Sequence, residues 1–309
     1  MIRPMLRRFG SRLAYMLPVV WLVVSVVFFL IHLVPGDPIQ AMLGEGAAAA
    51  DLEAARHTYG LDVPLGVQYV RYWRGVLHGD LGRSLRLNQP VGSLVAHAYP
   101  ATLALTVAAL SIAILLSIPA GVRSATRRNR WDDRALGFVS LLGLSVPNFA
   151  LGPMLILLFA IRLDLLPVSG AGSWRNLVLP ALTMGASLAA ILTRMVRTSM
   201  LEELGQDYIR TARAKGLSER VVVYRHALRN ALIPVVTVLG LQFGALLAGA
   251  IVTETIFSWP GIGRLTLTAI NNRDYAVVQG CLLCIGLTYV AVNFLTDVVY
   301  SALNPRIRQ

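Results

Sequence analysis

Few residues in this sequence have the types and the spacing that catalysis requires. The segment Gly143-Leu144-Ser145-Val146-Pro147 begins like the serine turn of a hydrolase, but proline stands where that turn needs its last glycine. The one lysine, Lys215, follows Ala214, whereas the lysine of a phosphate-binding loop follows a glycine. We therefore expect no catalytic residue here, and any energy from nucleotide hydrolysis must come from a partner.

The sequence also gives little support for a metal site or a redox site. Cys281 and Cys284 have the spacing of a metal or redox pair, but they lie in an apolar run without a cluster of further ligands, so we interpret them as small packing residues. Glu254 and Asp297 lie near the ends of apolar runs, where an ion pair or a helix cap explains them better than a proton relay does. The histidines are scattered and are interpreted as local hydrogen-bonding residues: His32, His57, His78, His97 and His226. The sequence predicts no metal site.

One polar stretch, residues 202–230, lies between apolar ones and is best suited to bind a partner. Its apolar residues recur at three- and four-residue steps and predict an amphipathic helix over 201–217. The apolar face comprises Leu201, Leu204, Tyr208 and Ala212, and the other faces carry Glu202, Glu203, Asp207, Arg210 and Arg213. Gly216 suits the left-handed position that ends the helix, and Ser218 can cap a second helix over 221–232. The polar stretch is therefore predicted to form a helix, a turn and a second helix.

The composition places this stretch in a membrane protein. The chain has 309 residues, of which 56% are hydrophobic and 14% charged, whereas about a quarter are charged in soluble domains. Six uncharged runs are near or above the roughly 20 residues that cross a bilayer as a helix. They are residues 13–34, 98–122, 135–161, 176–193, 230–253 and 275–296. The first follows four arginines and lacks a cleavage site, so it is interpreted as an uncleaved anchor.

The basic residues orient these runs. With the N-terminus inside, cytoplasmic segments hold 19 of the 28 basic residues and the two short external loops hold 4. The other 5 lie in the long first loop, which the positive-inside rule discounts. Both termini are therefore predicted to be cytoplasmic, and so is the polar stretch.

The polar stretch resembles the cytoplasmic loop of the permeases that import dipeptides, oligopeptides, nickel and glutathione in ATP-binding-cassette (ABC) systems. The segment Arg210-Thr-Ala-Arg-Ala-Lys-Gly216 carries this resemblance. In the wider superfamily the loop reads Glu-Ala-Ala, three residues, Gly, with a later Ile-x-Leu-Pro. Here Arg210-Thr211-Ala212 occupies the first three positions and Pro234 lies beyond the expected place. The glycine and the helix carry over, and the lead glutamate does not. The alternative is a basic amphipathic loop lying on anionic lipid.

Further segments extend the resemblance over nearly the whole chain. They are His78-Gly-Asp80-Leu-Gly82, residues 227–234, residues 253–264, residues 272–275 and residues 304–308. The chain is identified as a member of this permease family. The resemblance implies an all-α membrane protein with six transmembrane helices and the type I ABC importer permease fold. It also implies a first helix that wraps a partner permease while the other five line a shared translocation path.

The predicted organisation has three parts: residues 1–34 with the first span, the external region 35–97, and the core 98–309 that contains the cytoplasmic loop 194–229. Within the external region the spacing predicts one helix over 51–59 and another over 67–77. The second places Tyr69, Tyr72, Trp73 and Val76 on one side. We interpret it as an aromatic helix at the membrane surface, and the family resemblance adds contact with a binding protein.

The remaining candidate residues lie in the spans or at their ends. Pro147 and Asn148 interrupt the third run, and with Gln242 they are candidates for the translocation path, although a packing kink explains them equally well. Small residues recur every four positions in the fifth run, which predicts close helix packing. These are Gly240, Gly244 and Ala248. A turn after that run is a candidate external gate or a structural cap, with the tryptophan at the membrane interface. It comprises Trp259, Pro260, Gly261 and Gly263.

We predict the permease subunit of an ABC importer, forming half of the path for dipeptides or short peptides. The resemblance implies these partners: a homologous second permease, two cytosolic ATPase subunits that bind the ATP and Mg²⁺, an extracytoplasmic binding protein and membrane lipid, but no nucleic acid. It places the chain in the bacterial inner membrane. The coupling residues would be Leu204, Asp207, Tyr208, Arg210, Ala212, Arg213 and Gly216. The alternatives are a glutathione or nickel-chelate importer and, in another class, an ion-coupled transporter, which would need midplane carboxylates.

Overall fold

The computed structural model describes residues 2–33, 39–40, 46, 48–84 and 86–303, and over these residues the regular secondary structure is helical apart from one isolated bridge between Arg83 and Pro90. Twelve α-helices follow one another in the described residues. They are α1 (Ile2–His32), α2 (Ala49–Tyr59), α3 (Leu65–His78), α4 (Val91–Thr126), α5 (Trp131–Ser145), α6 (Asn148–Leu155), α7 (Trp174–Leu204), α8 (Asp207–Ala214), α9 (Glu219–Val221), α10 (Leu228–Ile256), α11 (Ile262–Asn271) and α12 (Tyr275–Leu303). Two π-helical segments, Ile156–Arg162 and Val222–Ala227, continue α6 and join α9 to α10. The predicted all-α class is confirmed.

The long helices coincide with the predicted spans. Over the described part of the chain, four are long and apolar enough to cross a membrane: α4, α7, the helix that runs from Glu219 to Leu247, and α12. The pair α5 and α6 qualifies as a fifth if it counts as one span. The shorter apolar segment Met16–Leu30 of α1 lies within the first predicted run. These six elements follow the order of the six uncharged runs.

The third span is bent by 105° between α5 and the helix that continues to Arg162. The break lies at Val146 and Pro147, whose backbones are extended. Proline disfavours helical geometry in the residue before it, so Val146 takes a ψ of 115° and the first helix ends there. The sequence predicted an irregularity at Pro147, and the structure shows a full break.

The chain divides into two compact units, the first comprising Met1–Thr102 and Pro260–Phe294. Its core is apolar, with Val91 and Val95 of α4 packed among Ile262, Val277 and Cys281. Turns surround Asp80: Gly79 and Gly82 have φ values of 74° and 80°, and the Gly82 N–H donates to Asp80 Oδ1 at 3.0 Å.

The aromatic face of helix α3 contacts helix α1 within this unit. The Tyr69 hydroxyl lies 2.7 Å from Ser25 Oγ of α1, and the rings of Tyr69 and Phe28 are 5.3 Å apart, edge to face. Tyr72 and Trp73 pack against Val24 and Val27 of the same helix. The aromatic face therefore packs against α1, and the position of α3 at the membrane surface stays a prediction.

The second unit comprises Leu103–Trp259 and Leu295–Gln309. Helix α7 forms its centre and packs against α5, α6 and α10. Residues one helical turn apart are fully or almost fully buried, as in Leu188, Leu192, Val196 and Met200. The same helix continues past the predicted end of the fourth span and reaches Leu204, at the start of the polar stretch.

Candidate functional site

The polar stretch is not one helix over residues 201–217, so that prediction was wrong. Helix α7 ends at Leu204, Gln206 is extended with ψ 152°, and the separate helix α8 begins at Asp207. Asp207 stands in the first turn of α8, where its charge favours a new helix start. Leu204, predicted as a partner-facing anchor, is half-buried at the end of α7.

Helix α8 is amphipathic, but its buried face is offset from the predicted one. Ile209 is fully buried and Ala212 nearly so, whereas Tyr208 is 38% exposed. Ile209 was missed, although its three-residue spacing from Ala212 is the signal that could have found it. Arg210 and Asp207 form only an open ion pair of 3.5 Å, since their side chains are 76% and 96% exposed. The exposed face of α8 therefore carries Asp207, Tyr208 and Arg210.

Tyr208 ties α8 to both neighbouring long helices. Its hydroxyl donates a hydrogen bond to the Glu203 carboxylate at the end of α7. The Asn230 side-chain amide of α10 donates to the same hydroxyl at 3.0 Å. Burial, and then the hydrogen bond to Glu203, raise the pKa of Tyr208 above its ordinary value. The tyrosine thus keeps its proton and bridges the ends of two spans.

A fixed turn follows α8. Gly216 has φ +77°, which confirms the predicted left-handed residue. The N–H of Gly216 donates to Arg213 O at 2.9 Å and that of Leu217 to Ala212 O at 3.3 Å, the pattern of a Schellman motif. Across this turn the Arg213 guanidinium binds both Glu219 carboxylate oxygens at 2.7 and 3.1 Å. Arg213, predicted to contact a partner, thereby clamps the angle between α8 and the following helix.

The second helix begins as predicted, at Glu219 directly after Ser218. Ser218 occupies the N-cap position with an extended backbone, although its side chain makes no capping hydrogen bond. Helix α9 then runs through the π-helical segment into α10, so no loop separates the second arm of the site from the fifth span. Short links at residues 205–206 and 215–218 join α8 to α7 and α9, and the Tyr208 hydrogen bonds connect it directly to α7 and α10.

A buried ionic cluster beside this site was missed by the sequence reasoning. Asp133 accepts two bonds from Arg197 of α7, at 2.7 and 2.9 Å, and further bonds from the Ser124 hydroxyl and the Asn129 N–H. Its neighbour Asp132 binds Arg123 at the end of α4 and Arg127 of the following loop. Two adjacent acids directly after a run of arginines were the signal, because buried carboxylates need cationic partners. The cluster fixes the loop at 127–130 against α7.

The candidate path residues are explained locally. Asn148 Oδ1 accepts a hydrogen bond from the Ser187 hydroxyl of α7 at 2.8 Å, which matches the alternative of a kink bonded to a neighbouring helix. Pro147 is exposed at the bend, and Gln242 is half-buried on α10. Their role in a path stays a prediction.

The candidate gate residues fall in two places. In the second unit Trp259 is only 6% exposed, and its backbone N–H donates to Glu254 O at 2.8 Å, while its depth at the membrane interface stays a prediction. Ser258 forms the turn there with φ 51°. In the first unit Gly261 and Gly263 are buried and Pro260 is exposed.

Close helix packing occurs at more glycines than the predicted ones. A Cβ on Gly240 would lie 2.2 Å from Thr296 of α12, as expected for the small-residue stripe. Gly244 is half-buried, and the side chain of Ala248 lies outside the described residues. Two unpredicted contacts bring α4 and α7 together: a Cβ on Gly121 would lie 2.6 Å from Val196 Cβ, and one on Gly185 would lie 2.8 Å from Ala109 O. These glycines set the spacing around the central helix.

Comparison with known proteins identifies the family of this chain. Residues 117–309 match the family described as "Binding-protein-dependent transport system inner membrane component", and residues 1–106 match its N-terminal counterpart. The chain belongs to this family. The glutathione transport system permease protein GsiC of Escherichia coli strain K12 is 44% identical over 298 residues, covering 96% of this chain and 97% of that one. GsiC of Salmonella paratyphi A matches to the same extent.

Solved structures show the same fold for this permease. Inward-facing structures of the MetNI methionine ABC transporter align with a TM-score of 0.59 at 19% identity, covering 68% of this permease and 96% of that chain. An amino acid ABC transporter with histidines aligns with a TM-score of 0.52 at 13% identity, covering 69% and 94%. The fold is that of a type I ABC importer permease, as predicted. This multi-pass inner-membrane subunit is a transport component and not itself an enzyme.

Proposed function

We propose that the permease forms half of an ATP-driven import path for short peptides and that α8 is the helix through which a cytosolic ATPase drives it. The observation that carries the coupling role is the Tyr208 bridge, because one hydroxyl bonds to the ends of both α7 and α10. A push on α8 is then shared between two spans rather than absorbed in a loop.

The rest of the site supports a rigid transmitter. The Schellman turn at Gly216 and the bidentate Arg213–Glu219 pair hold α8 at a fixed angle to the fifth span. Pro234, inside α10, removes a backbone hydrogen bond and offers the flexing point at which that span can respond. The exposed ring of Tyr208, with Asp207 and Arg210, is the surface that enters the groove of the ATPase.

The proposed substrate class is supported by the relatives. Glutathione is itself a tripeptide, and 44% identity to glutathione permeases over 96% of the chain supports a short peptide of this size, with glutathione as the leading ligand. Selection would rest largely on an extracytoplasmic binding protein. The residues 147, 148 and 242 remain proposed for the path, and the segments around 259 and 263 for its outer closure.

The assembly we propose contains a homologous second permease and two ATPase subunits, which hold the ATP and Mg²⁺. In the proposed topology both termini and the loop with α8 face the cytoplasm, which is supported by the 19 of 28 basic residues that this orientation places inside. Membrane lipid surrounds the apolar faces, and no nucleic acid takes part.

Uptake by the reconstituted importer tests both parts of this proposal. Proteoliposomes containing the two permeases, the ATPase and the binding protein are supplied with labelled glutathione or a labelled dipeptide. We expect ATP-dependent accumulation of at least one of them and, in the Tyr208→Ala variant, an intact complex with reduced stimulation of ATPase activity by loaded binding protein. Normal stimulation and normal uptake in that variant would refute the coupling role. Uptake of neither peptide would refute the substrate class alone.

A further inference from the structure

A groove of about 440 Å³ opens beside the coupling site, between the end of α4 and the start of the helix that leads into α10. It lies wholly within the second unit. Its charged edge contains Arg123 and Arg127 from α4 and its loop, with Arg220 from α9. Its apolar wall includes Val122 and Val223. The groove thus combines guanidinium groups with hydrocarbon surface.

The charges of the groove are strongly one-sided. Arg123, Arg127, Arg220 and Arg213 stand against only two carboxylates, Asp132 and Glu219, which leaves an excess of two positive charges. Asp132 binds Arg123 at 3.3 Å and Arg127 at 3.0 Å, and so holds both guanidiniums in place while they remain about half exposed. Within the described residues Arg220 takes part in none of the ion pairs and is exposed. An anion between these groups would meet prepositioned donors.

The two walls change from apolar to charged at the same end. On α4 the apolar Val122 is followed by Arg123 and Arg127, where this candidate span ends. On the facing wall Glu219 and Arg220 open the next candidate span, and Val223 and Tyr224 follow one turn further in. In a membrane, this order would place the arginines at headgroup depth and the exposed lining residues Pro119 and Tyr224 nearer the acyl carbons. Tyr224 is 55% exposed, as is common for tyrosine at a membrane interface.

We propose that this groove is a binding site for an anionic phospholipid, whose phosphate lies between Arg127 and Arg220 and whose acyl chain covers the exposed lining residues Pro119 and Tyr224. Basic pockets between transmembrane helices on the cytoplasmic side suit such headgroups. The site adjoins the clamp of the coupling turn, because Glu219 both lines the groove and binds Arg213. A bound anionic lipid thereby contacts the arm through which α8 joins the fifth span. The proposal rests on the proposed function for its cytoplasmic placement.

Lipid retention by the complete importer tests this site without using transport as the readout. The complex is reconstituted in nanodiscs of phosphatidylcholine with increasing phosphatidylglycerol, and the lipid that stays bound is counted by native mass spectrometry and mapped with a photoreactive phosphatidylglycerol. We expect retention of phosphatidylglycerol over phosphatidylcholine, with labelling at residues 220–224. Arg220→Gln should weaken this retention about fivefold, the effect of one arginine near an anionic surface, and Arg220→Lys should restore part of it.

Arg128→Gln is the matched control, because Arg128 is an exposed arginine of the adjacent loop that does not line the groove. It should retain phosphatidylglycerol as the unmodified chain does. Equal retention in Arg220→Gln, or no preference over phosphatidylcholine, would overturn the proposal. Labelling that appears only after the ATPase is removed would show that protein covers the groove and would overturn it as well. Displacement by inorganic phosphate at equal free concentration would identify a soluble anion instead. All of these outcomes are separate from loss of coupling in the Tyr208 variants.

Discussion

The Tyr208 hydroxyl accepts a hydrogen bond from the Asn230 amide at 3.0 Å while it donates one to Glu203, so that three helices meet at one oxygen atom. The two bonds join the exposed helix α8 to the ends of α7 and α10, whose continuations cross the membrane. The exposed aromatic ring and the doubly hydrogen-bonded hydroxyl thus belong to one residue. In the proposed coupling role the ring would contact the ATPase and the hydroxyl would transmit the movement.

Removal of the hydroxyl alone tests the role of the two hydrogen bonds that Tyr208 makes to Glu203 and Asn230. Tyr208→Phe keeps the ring but loses both hydrogen bonds, each worth about 0.5–1.5 kcal/mol, with values at the low end because the residue is partly exposed. We expect reduced ATPase stimulation by loaded binding protein and unchanged unstimulated activity, both measured on the reconstituted importer. Tyr289→Phe, at an exposed tyrosine of α12, should behave as the unmodified chain does.

The pH dependence of the same variant has a definite sign. Because the pKa of Tyr208 is raised, the contribution of its protonated hydroxyl is complete below the unfolded value of about 10 and is lost only as the pH rises through the folded value. The difference in stimulation between Tyr208→Phe and the unmodified chain should therefore stay constant up to about pH 9. A difference that already disappears near pH 8 would contradict the assigned bonds.

Gly216 tests whether the turn must hold its angle. Its φ of +77° strains any β-branched residue, although a Cβ there would meet no atom within 4 Å, so the cost of Gly216→Val is backbone strain of about 1–3 kcal/mol. We expect loss of stimulated ATPase activity with the complex still assembled. Gly216→Asn should retain most of the stimulation, since asparagine tolerates this region.

A second glycine of the same loop provides the matched control. Gly205 has an ordinary φ of −84° and open space for a Cβ, the nearest atom being 3.5 Å away. Gly205→Ala should therefore leave stimulation unchanged. Equal effects of Gly205→Ala and Gly216→Val would show that the loop responds to any lost glycine and not to the left-handed turn.

The buried carboxylate of Asp133 should contribute to the stability of the second unit. Asp133→Ala leaves Arg197 without its partner, and we expect a loss of about 1–3 kcal/mol, below the value for a fully buried pair because Arg197 is 32% exposed. A thermal-unfolding assay in nanodiscs measures it. The double variant Asp133→Ala/Arg197→Ala should recover part of the loss, whereas additive losses would argue against direct coupling. Asp207→Ala, which breaks an exposed pair, should have no measurable effect.

Gly185 tests the contact between α4 and α7. A Cβ there would lie 2.8 Å from the backbone oxygen of Ala109, which cannot rotate away, so Gly185→Ala should destabilise by about 1–3 kcal/mol. Gly137→Ala, with no atom within 4 Å, should instead be neutral or stabilise by up to about 1 kcal/mol through helix propensity. In the same unfolding assay, Gly185→Ala should lower the free energy of unfolding, whereas Gly137→Ala should leave it unchanged or raise it. Unchanged stability of Gly185→Ala would show that the two helices can separate.

The sequence by itself determined the features that depend on local composition. Long uncharged runs are helices because a bilayer leaves backbone groups no other partners, so the span order was readable from charge alone. Gly216 was predicted correctly because a left-handed turn selects glycine. An irregularity at Pro147 was also predicted, because the proline ring disfavours helical geometry in the residue before it.

Only the tertiary structure decided which side chains meet. The partners of Asp133, the burial of Trp259 and the close approach at Gly185 depend on helices far apart in sequence, and no local pattern encodes such contacts. The single helix expected over residues 201–217 failed for the same reason: helical spacing was continuous, but burial of Ile209 required the chain to turn after Leu204. The spacing of apolar residues indicates that one face of a helix is apolar, whereas packing against neighbouring helices decides where that face points.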